Sequence, residues 1–301
     1  MSVLEQLQIE SLRQNVPLAK YTAARLGGHA DWLYVAKNSI EELAQVVQLA
    51  WSDDIPVRVI GGGANILVSD AGVRGLVVIN RVADISYGNW HDGRTVSATS
   101  GTGLLRLARD CADHGLAGME WAIGVPGTVG GAVVNNAGAH GDDMAASVTD
   151  VVVLEPSGAK LYSHADMAYD YRSSMLKSRA NRQFVVLQVN FALPYDDPEA
   201  IKARMNDFNT YRKATQPSGA TLGSIFKNPD GDHAGRLIEA SGLKGYRIGG
   251  VEVSAKHANF IVHHGDATAT DYYNLIRYVQ AVVLEQHKVE LELEIERVGD
   301  W

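Results

Sequence analysis

Glycine is concentrated in two short stretches of this 301-residue chain, and their position constrains the fold more than any other feature. The chain has 30 glycines, and residues 115–141 contain eight of them where average usage predicts about two. A second cluster is the triplet Gly61-Gly62-Gly63. Glycine weakens helices and strands, so such clusters are expected where the backbone takes positive φ or lies against a ligand. We therefore predict one extended ligand that is held by two glycine-rich segments.

The sequence around the glycine clusters mixes strand-like and helix-like patterns. Short apolar runs predict strands at Leu33–Ala36, Val57–Ile60, Leu76–Ile79, Val151–Leu154 and Phe184–Val189. Helical spacing predicts helices over Leu104–His114 and Asp271–His287, a helix with Ile201, Met205 and Phe208 on one face, and a helix that follows a capping box of Ser39 and Glu42. Val289–Glu296 alternates, which predicts a half-buried strand with its glutamates on the solvated face. The pattern is therefore mixed α and β.

Charge and composition exclude several classes of function. Lysine and arginine number 27 and aspartate and glutamate 35, a net charge of −8 with no basic block, which argues against a nucleic-acid partner. No apolar run approaches the ~20 residues that span a bilayer, and the N-terminus lacks a signal-peptide pattern, so we expect a cytoplasmic protein without a membrane partner. The single cysteine, Cys111, falls on the apolar stripe of its helix and is predicted to be core. Ten histidines show no metal-ligand spacing, and no metal is expected.

The two glycine-rich segments have the character of an anion site. Val57–Ile60 leads directly into Gly61–Asn65, whose consecutive N–H groups suit a pyrophosphate. This loop lacks the P-loop and dinucleotide fingerprints, and a plain turn explains it equally well. The second segment, Gly124–Ala132, has four glycines in eight residues, and Asn135-Asn136-Ala137-Gly138 extends it. Two such segments in one chain favour the ligand over the turn.

Motifs spread over nearly the whole chain resemble one family of flavoenzymes. In chain order they are Tyr21-Thr22 with Gly27–Asp31, Gly61–Asp70, Gly124–Gly131, Tyr171–Ser174, Gly223–Pro229, Ala234–Glu239 and Gly249–Val253. Together they resemble the UDP-N-acetylenolpyruvoylglucosamine reductases (UDP-N-acetylmuramate dehydrogenases) of bacterial peptidoglycan synthesis. The 52 positions from Arg172 to Ser224 leave no room for the tyrosine-bearing insertion of the family's long form. The resemblance is therefore to the short form.

The resemblance implies an α+β fold, with a two-subdomain FAD-binding region of the vanillyl-alcohol-oxidase type and a C-terminal α+β substrate-binding domain. The implied boundaries are 1–84 and 85–197 for the FAD-binding subdomains, 198–213 for a linker helix and 214–301 for the substrate domain. It further implies NADPH as co-substrate, UDP-N-acetylglucosamine enolpyruvate as substrate, and a monomer. We expect the FAD to be non-covalent, because Cys111 is assigned to an apolar helix and no histidine lies in the core of either glycine cluster.

The resemblance also assigns roles to particular residues. Arg172 is the group that stabilises charge on the substrate, Ser224 is the proton donor, and Glu294 is the acidic member selected by the spacing to Gly299. Glu296 stands where the family usually has arginine, so it remains an alternative to Glu294. The implied FAD-binding residues are Gly61, Gly62, Gly63, Ala64, Asn65, Ile66, Val125, Pro126, Gly127, Thr128, Gly130, Gly131 and Gly138. The implied substrate contacts are Lys227, Asn228 and His257, and the charges of Arg212 and Lys213 fit either a diphosphate or the end of a helix.

The sequence leaves two other hypotheses of function open. One is an oxidase or another dehydrogenase on the same FAD scaffold, which often holds its flavin through histidine or cysteine. The other is a non-catalytic protein that binds a nucleotide sugar. The motifs at Arg172 and Ser224 argue against both hypotheses. The absorbance spectrum of the purified protein would show whether it binds a flavin.

Overall fold

The structure is a computed structural model, and it describes residues 12–89 and 93–301. Contacts between Cα atoms divide it into two compact units. The first unit is built mainly from Trp32–Gly62 and Gly75–Tyr211, and the second from Gln14–Asp31, Gly63–Arg74 and Arg212–Trp301. The second unit thus takes two early segments in addition to the C-terminal part of the chain. The separation of 1–84 from 85–197 as FAD-binding subdomains stays a prediction.

The regular elements are helices and strands in a mixed order, with short 3-10 turns between them. The helices are α1 Ile40–Ser52, α2 Leu104–Asp113, α3 Val129–Asn135, α4 Met175–Ser178, α5 Pro198–Thr215, α6 Ala234–Ala240 and α7 Ala269–His287. The strands are β1 Arg13–Pro17, β2 His29–Ala36, β3 Val57–Ile60, β4 Ile66–Val68, β5 Val73–Asn80, β6 Ile85–Tyr87, β7 Gly93–Thr99, β8 Gly138–Ala139, β9 Asp142–Asp143, β10 Val148–Glu155, β11 Gly158–Ser163, β12 Val185–Pro194, β13 Arg247–Ile248, β14 Val251–Val253, β15 Ile261–His263 and β16 Glu296–Val298.

Two of the sheets in the described part of the first unit bring the glycine-rich segments into place. One is antiparallel with the order β11-β10-β12-β7-β6. In the other, β2, β5 and β3 follow in that order, and β3 runs parallel to β5 with Val57 opposite Leu76. The apolar face of α1, with Leu43, Val47 and Ala50, packs into the same core cluster as β5. Because β3 ends at Ile60, the sheet delivers the chain directly to Gly61.

The second unit is organised around α7 and small sheets. β13, β14 and β15 form an antiparallel sheet, and β16 runs parallel to β4. One face of α7, including Tyr272, Leu275 and Val279, is buried in a core that also contains Phe226 and Leu291. The side chain of Asp70 accepts hydrogen bonds from the first amides of α7, at 2.9 Å from Ala269 and 2.8 Å from Thr270. These contacts place the segments after β4 and before β16 within one packed unit.

Most elements predicted from periodicity are present. The five predicted strands lie within β2, β3, β5, β10 and β12, although β12 begins at Val185, one residue after Phe184. The predicted helices correspond to α1, α2, α5 and α7. Cys111 is fully buried on the apolar face of α2, and burial raises the pKa of its thiol to about 12, which confirms its assignment to the core.

Two local predictions are wrong. The Ser39 hydroxyl accepts from the Glu42 amide at 3.2 Å, but the second half of the capping box is missing because the Glu42 carboxylate instead accepts from the Tyr34 hydroxyl at 2.6 Å and from Asn38 at 2.7 Å. Val289–Glu296 is not a continuous strand, since only its last residue belongs to β16. The predicted burial holds in part, since Leu291 and Ile295 are 1% and 4% exposed and Glu290 and Glu292 are exposed, but Leu293, Glu294 and Glu296 are all half-buried.

Candidate active site

The two glycine-rich segments of the first unit pack directly against each other. A Cβ built on Gly61 would collide with the Thr128 hydroxyl, and one built on Gly62 would lie 2.8 Å from the Cα of Gly127. Gly127 itself has φ of +125°, which L side chains rarely adopt. These glycines are therefore required by backbone contact between the segments, and not only by a ligand. Arg81 holds the first segment by donating to the Gly61 carbonyl at 3.1 Å.

A different pair of glycines borders open space beside Thr128. Nothing lies within 4 Å of a Cβ built on Gly103, and a Cβ on Gly131 would have only the Thr128 hydroxyl near it, at 3.9 Å. Gly103 pairs with Thr128 in an isolated β-bridge, so the three residues form one surface. The Thr128 hydroxyl makes no hydrogen bond to any residue in the described parts of the chain. A bare backbone surface with an available hydroxyl fits the phosphate portion of FAD.

Gly103 is a candidate that the sequence interpretation missed. It ends the run Ser100-Gly101-Thr102-Gly103, between β7 and α2. A spacing of two residues between glycines at the end of a strand was the available signal. The first glycine has a packing role, because a Cβ on Gly101 would lie 2.7 Å from the side-chain oxygen of Asn80. Only Gly103 of this pair faces open space.

The remaining predicted FAD-binding residues are distributed over both units. Gly130 packs against Ser100, since its amide donates to the Ser100 carbonyl at 2.9 Å and a Cβ on Gly130 would lie 2.8 Å from the Ser100 Cβ. The others in the first unit are Val125, Pro126 and Gly138, and those in the second unit are Gly63, Ala64, Asn65 and Ile66. Gly63 has φ of +63° and packs on the backbone of Tyr21 and Thr22, and Ile66 begins β4.

Arg172 lies at the tip of a strained turn in the first unit. Two backbone hydrogen bonds between Asp170 and Ser173, at 3.2 and 3.0 Å, close the turn, and Arg172 has φ of +52°. Its Nη2 donates to the Gly138 carbonyl at 2.6 Å, and its Nη1 lies 3.4 Å from the Asn136 carbonyl. Left-handed backbone at a residue other than glycine costs on the order of 1–3 kcal/mol and is concentrated at functional sites. The turn and the two carbonyl contacts thus hold the Arg172 side chain in one position.

Ser224 lies in a segment of the second unit that is fixed by backbone hydrogen bonds on both sides. It follows Gly223, which has φ of +76°, and forms an isolated bridge with Phe260. The next residue, Ile225, donates to the Asn259 carbonyl and accepts from the Glu294 amide, both at 2.9 Å. The Ser224 hydroxyl has no hydrogen-bond partner among residues 12–89 and 93–301. The structure therefore brings Ser224 and Glu294 onto neighbouring segments.

The side chain of Asn259 is a further support that the sequence interpretation missed. It is 4% exposed, its Nδ2 donates to the Phe226 carbonyl at 2.8 Å, and its Oδ1 accepts from the Phe226 amide at 3.0 Å. The amide thus satisfies both backbone groups of Phe226, two residues after Ser224. A lone asparagine next to an apolar run gives no sequence signal for such a contact.

Asn65 links the glycine-rich loop to the acidic segment. Its Nδ2 donates to the Glu294 carbonyl at 3.1 Å, and its own carbonyl accepts from the Glu296 amide at 2.9 Å. Glu296 belongs to β16 and pairs with Ile66, whereas Glu294 is bonded to the segment that carries Ser224. This difference in neighbours supports Glu294 over Glu296 as the acidic group of the site.

The three predicted substrate contacts lie near the Ser224 segment but already have protein partners. Lys227 Nζ pairs with the Glu292 carboxylate at 3.2 Å, and Asn228 Oδ1 accepts from the Ala234 amide at 3.1 Å at the start of α6. His257 is half-buried and packs on Gly235, with its Cε1 3.3 Å from the position of a Cβ there. Burial lowers the pKa of His257, so its imidazole is neutral near neutral pH.

Arg212 is half-buried in the second unit. From the sequence, its charge fits either a contact to a diphosphate or the end of a helix. Desolvation by burial lowers the pKa of its guanidinium, and no carboxylate of the described segments pairs with it. A half-buried cation without a counterion is a suitable group to meet an anionic ligand. The neighbouring Lys213 is exposed, and its carbonyl accepts from Lys256 at 2.6 Å.

Among the described residues, no group of three or more histidine, cysteine, aspartate or glutamate side chains is placed to hold a metal ion. None of the helices found between residues 12 and 301, with 90–92 left aside, combines the length and apolar character that crossing a bilayer requires.

Comparison with known proteins agrees with this geometry. Residues 33–160 match the family described as FAD binding domain, and residues 215–298 match the C-terminal domain of UDP-N-acetylenolpyruvoylglucosamine reductase. A reductase of that name from Synechococcus sp. is 44% identical over 96% of this chain and 94% of its own, and one from Exiguobacterium sibiricum is 40% identical over 97% and 94%. The crystal structure of the Thermus caldophilus enzyme superposes with a TM-score of 0.79, at 34% identity over 96% of this chain and 100% of its own. The chain has the expected α+β fold with FAD as its cofactor, and it belongs to the UDP-N-acetylenolpyruvoylglucosamine reductase family.

Proposed function

We propose that this protein reduces UDP-N-acetylglucosamine enolpyruvate to UDP-N-acetylmuramate, with NADPH as the electron donor, in peptidoglycan synthesis. Bound FAD would supply the hydride chemistry between NADPH and the vinyl carbon of the substrate. The observation that carries the proposal is the hydrogen bond between the Glu294 amide and the Ile225 carbonyl, which joins the proton-donor segment to the acidic segment. It occurs in a chain about 40% identical to reductases of this name over nearly its full length.

Arg172 is proposed to stabilise the negative charge that develops on the substrate. Addition of hydride to the double bond places an electron pair on the adjacent carbon and, by conjugation, on its carboxylate. A guanidinium suits this task because it keeps its proton and binds a carboxylate at two points. The carbonyls of Gly138 and Asn136 hold the guanidinium of Arg172 before substrate arrives, which lowers the reorganisation needed in the transition state.

Ser224 is proposed to give its hydroxyl proton to the same carbon, which completes the lactyl ether. Serine is a weak acid, but a carbanionic intermediate is a strong base, so a positioned hydroxyl is sufficient. The hydroxyl has no protein partner within the described ranges and is therefore available to the substrate. Glu294 is the proposed acidic member of the site, and comparison of Glu294→Gln with Glu296→Gln tests that choice. We expect the larger loss of turnover for Glu294→Gln.

The sugar nucleotide is proposed to contact Lys227, Asn228 and His257. We add Arg212 as a contact to its diphosphate, because this half-buried guanidinium has no carboxylate partner in the described parts of the chain. We further propose that the enzyme acts as a monomer in the cytoplasm, where NADPH and nucleotide sugars are available. Light scattering of the purified protein tests the monomer.

The test separates flavin reduction from flavin oxidation. Ser224→Ala removes only the proposed proton donor, so NADPH should reduce the bound FAD at a near-normal rate while the enolpyruvyl substrate reoxidises it slowly. A single general-acid contact contributes about 10²–10⁴-fold to a rate, and that is the loss expected in the oxidative half. Stopped-flow flavin absorbance follows each half separately.

Ser241→Ala is the matched control, because Ser241 lies in the same unit and its hydroxyl only donates to the Leu237 carbonyl, at 2.9 Å, and contacts His287. Normal rates in both halves are expected for this variant. Equal slowing of both halves in Ser224→Ala would make Ser224 a structural residue. If Ser224→Ala changed neither flavin reduction nor flavin oxidation, the proton donor would have to be another group.

A further inference from the structure

Asn136 is a buried, strained residue next to the proposed site, and no step above uses its side chain. It follows α3 with φ of +43° and is 3% exposed. Asparagine tolerates left-handed backbone better than most residues, which explains its presence at the end of a helix. A helix end of this kind is usually at the surface and needs no side-chain contacts. The burial of Asn136 therefore points to a role for its side-chain amide.

The amide of Asn136 connects three separate segments of the first unit. Its Nδ2 donates to the Asp143 carboxylate at 3.0 Å and to the Asp170 carbonyl at 3.1 Å, and its Oδ1 accepts from the Ala145 amide at 3.0 Å. Asp170 closes the turn that carries Arg172 at its tip. The side chain of Asn136 thus fixes the base of that turn to the strand and loop that follow the second glycine-rich segment.

The backbone around Asn136 also holds the other end of Arg172. The Arg172 guanidinium donates to the Gly138 carbonyl at 2.6 Å and lies 3.4 Å from the carbonyl of Asn136. We propose that Asn136 is a positioning residue that sets the geometry of Arg172 at both its backbone and its guanidinium. This inference rests on the proposed function of Arg172 and adds the group that keeps it in place.

The hairpin after Asn136 keeps the Gly138 carbonyl in a fixed position. β8 and β9 pair through Gly138 with Asp143, and His140 and Gly141 form the two-residue turn, with φ of +58° and +88°. Positive φ at both positions is the pattern of a tight type I′ hairpin turn. The His140 ring stacks on Phe208 of α5, with centroids 4.2 Å apart and planes 7° from parallel. The acceptor of the shorter Arg172 bond therefore belongs to a rigid element.

Positioning has a measurable consequence because the charge on the substrate develops only in the transition state. A displacement of about 1 Å in a catalytic group costs on the order of 10²-fold in rate. Replacement of Asn136 by glycine keeps the left-handed backbone and removes all three amide hydrogen bonds. We expect Asn136→Gly to slow flavin reoxidation by substrate by about 10²-fold and to leave flavin reduction by NADPH within about twofold.

A double-mutant cycle with Arg172→Ala tests whether Asn136 acts through Arg172. In the Arg172→Ala background, Asn136→Gly should change the rate of flavin reoxidation by less than about threefold. The effects of two substitutions do not add when one residue acts through the other. Equal slowing in both backgrounds would overturn this inference and leave the role of Arg172 standing. If Arg172→Ala alone leaves the oxidative rate unchanged, the proposed function of Arg172 fails and the inference fails with it.

A second readout does not depend on turnover. In the wild-type protein labelled with ¹⁵N-arginine, Arg172 should show separate Nη resonances, because its guanidinium is held, and Arg172→Lys identifies those signals. In Asn136→Gly the resonances should merge as the guanidinium rotates, and unchanged resonances would contradict the proposal. Should Asn136→Gly fail to fold, Asp143→Ala removes one partner of the amide and should give a smaller effect in the same direction. Asn190→Ala, which removes an amide that bonds Asp150 in the antiparallel sheet, is the control for loss of an amide and should change neither rate.

Discussion

Gly131 allows the FAD surface to be tested separately from the stability of the fold. It lies in α3, is exposed, and is absent from the residues with positive φ. A Cβ there would have 3.9 Å to the Thr128 hydroxyl and no closer neighbour. Gly131→Ala should therefore stabilise the apoprotein by up to about 1 kcal/mol, the difference between glycine and alanine in a helix. That corresponds to a rise of about 2–4 °C in Tm.

A larger side chain at the same position should act against the cofactor. Gly131→Leu keeps the helix but fills the space beside Thr128 that we assign to FAD. Overpacking of a well-fitted site costs about 1–3 kcal/mol, which weakens FAD binding by about 5- to 150-fold. Titration of the apoprotein with FAD, followed by flavin fluorescence, gives the Kd, and thermal unfolding of the apoprotein gives Tm. Stability should rise or stay level while flavin affinity falls.

Gly130→Ala is the matched control in the adjacent position. A Cβ there would lie 2.8 Å from the Ser100 Cβ and 3.2 Å from its carbonyl oxygen, so this variant should lose about 1–3 kcal/mol of stability. An unchanged Kd for FAD in Gly131→Leu would refute the assignment of the surface beside Thr128. Gly127 is less informative, because φ of +125° makes any substitution there destabilising whether or not FAD binds nearby.

Three further predictions concern stability and support of the site. The ion pair of Glu155 with Lys160 lowers the pKa of the Glu155 carboxyl from 4.5 to about 2. The stability that this ionised carboxylate adds to the fold is therefore present above pH 4.5 and is lost as the pH falls towards 2. Glu155→Gln should remove that part of the dependence of Tm on pH. Asp70→Ala should cost about 0.5–2 kcal/mol in chemical denaturation, because the Ala269 and Thr270 amides at the start of α7 lose their side-chain acceptor. Asn259→Ala should cost about 1–3 kcal/mol by leaving both backbone groups of Phe226 unpaired, and should slow flavin oxidation more than flavin reduction.

Local periodicity predicted the elements whose burial is decided within a few residues. Val57–Ile60 is found as β3 with the predicted bounds, and the helix with Cys111 on its buried face begins at Leu104 as expected. The same reasoning misjudged Val289–Glu296. The backbone of this segment has different partners along its length, the Ile225 carbonyl at Glu294 and the Asn65 carbonyl at Glu296, so no continuous ladder forms.

The supporting asparagines show what a single sequence cannot supply. Asn136 reaches Asp170, 34 positions away, and Asn259 reaches Phe226, 33 positions away. Neither contact follows from spacing or composition, because each depends on how distant segments are brought together by the core. Only the run Asn135-Asn136-Ala137-Gly138 was visible in the sequence, as an extension of a glycine-rich segment.

The glycines of these clusters are present for two different structural reasons, which the sequence alone does not distinguish. Gly61, Gly62 and Gly130 are required because another part of the protein occupies the place of a Cβ, whereas Gly103 and Gly131 face open space. In the first group substitution fails by collision within the fold, whether or not a ligand lies against the same backbone. In the second group a built Cβ would have no protein atom closer than 3.9 Å, and we propose that bound FAD occupies this space. Glycines such as Gly158 and Gly242 are equally open but have positive φ, which explains them, whereas Gly103 and Gly131 do not have positive φ. We therefore propose that Gly103 and Gly131 mark the cofactor surface.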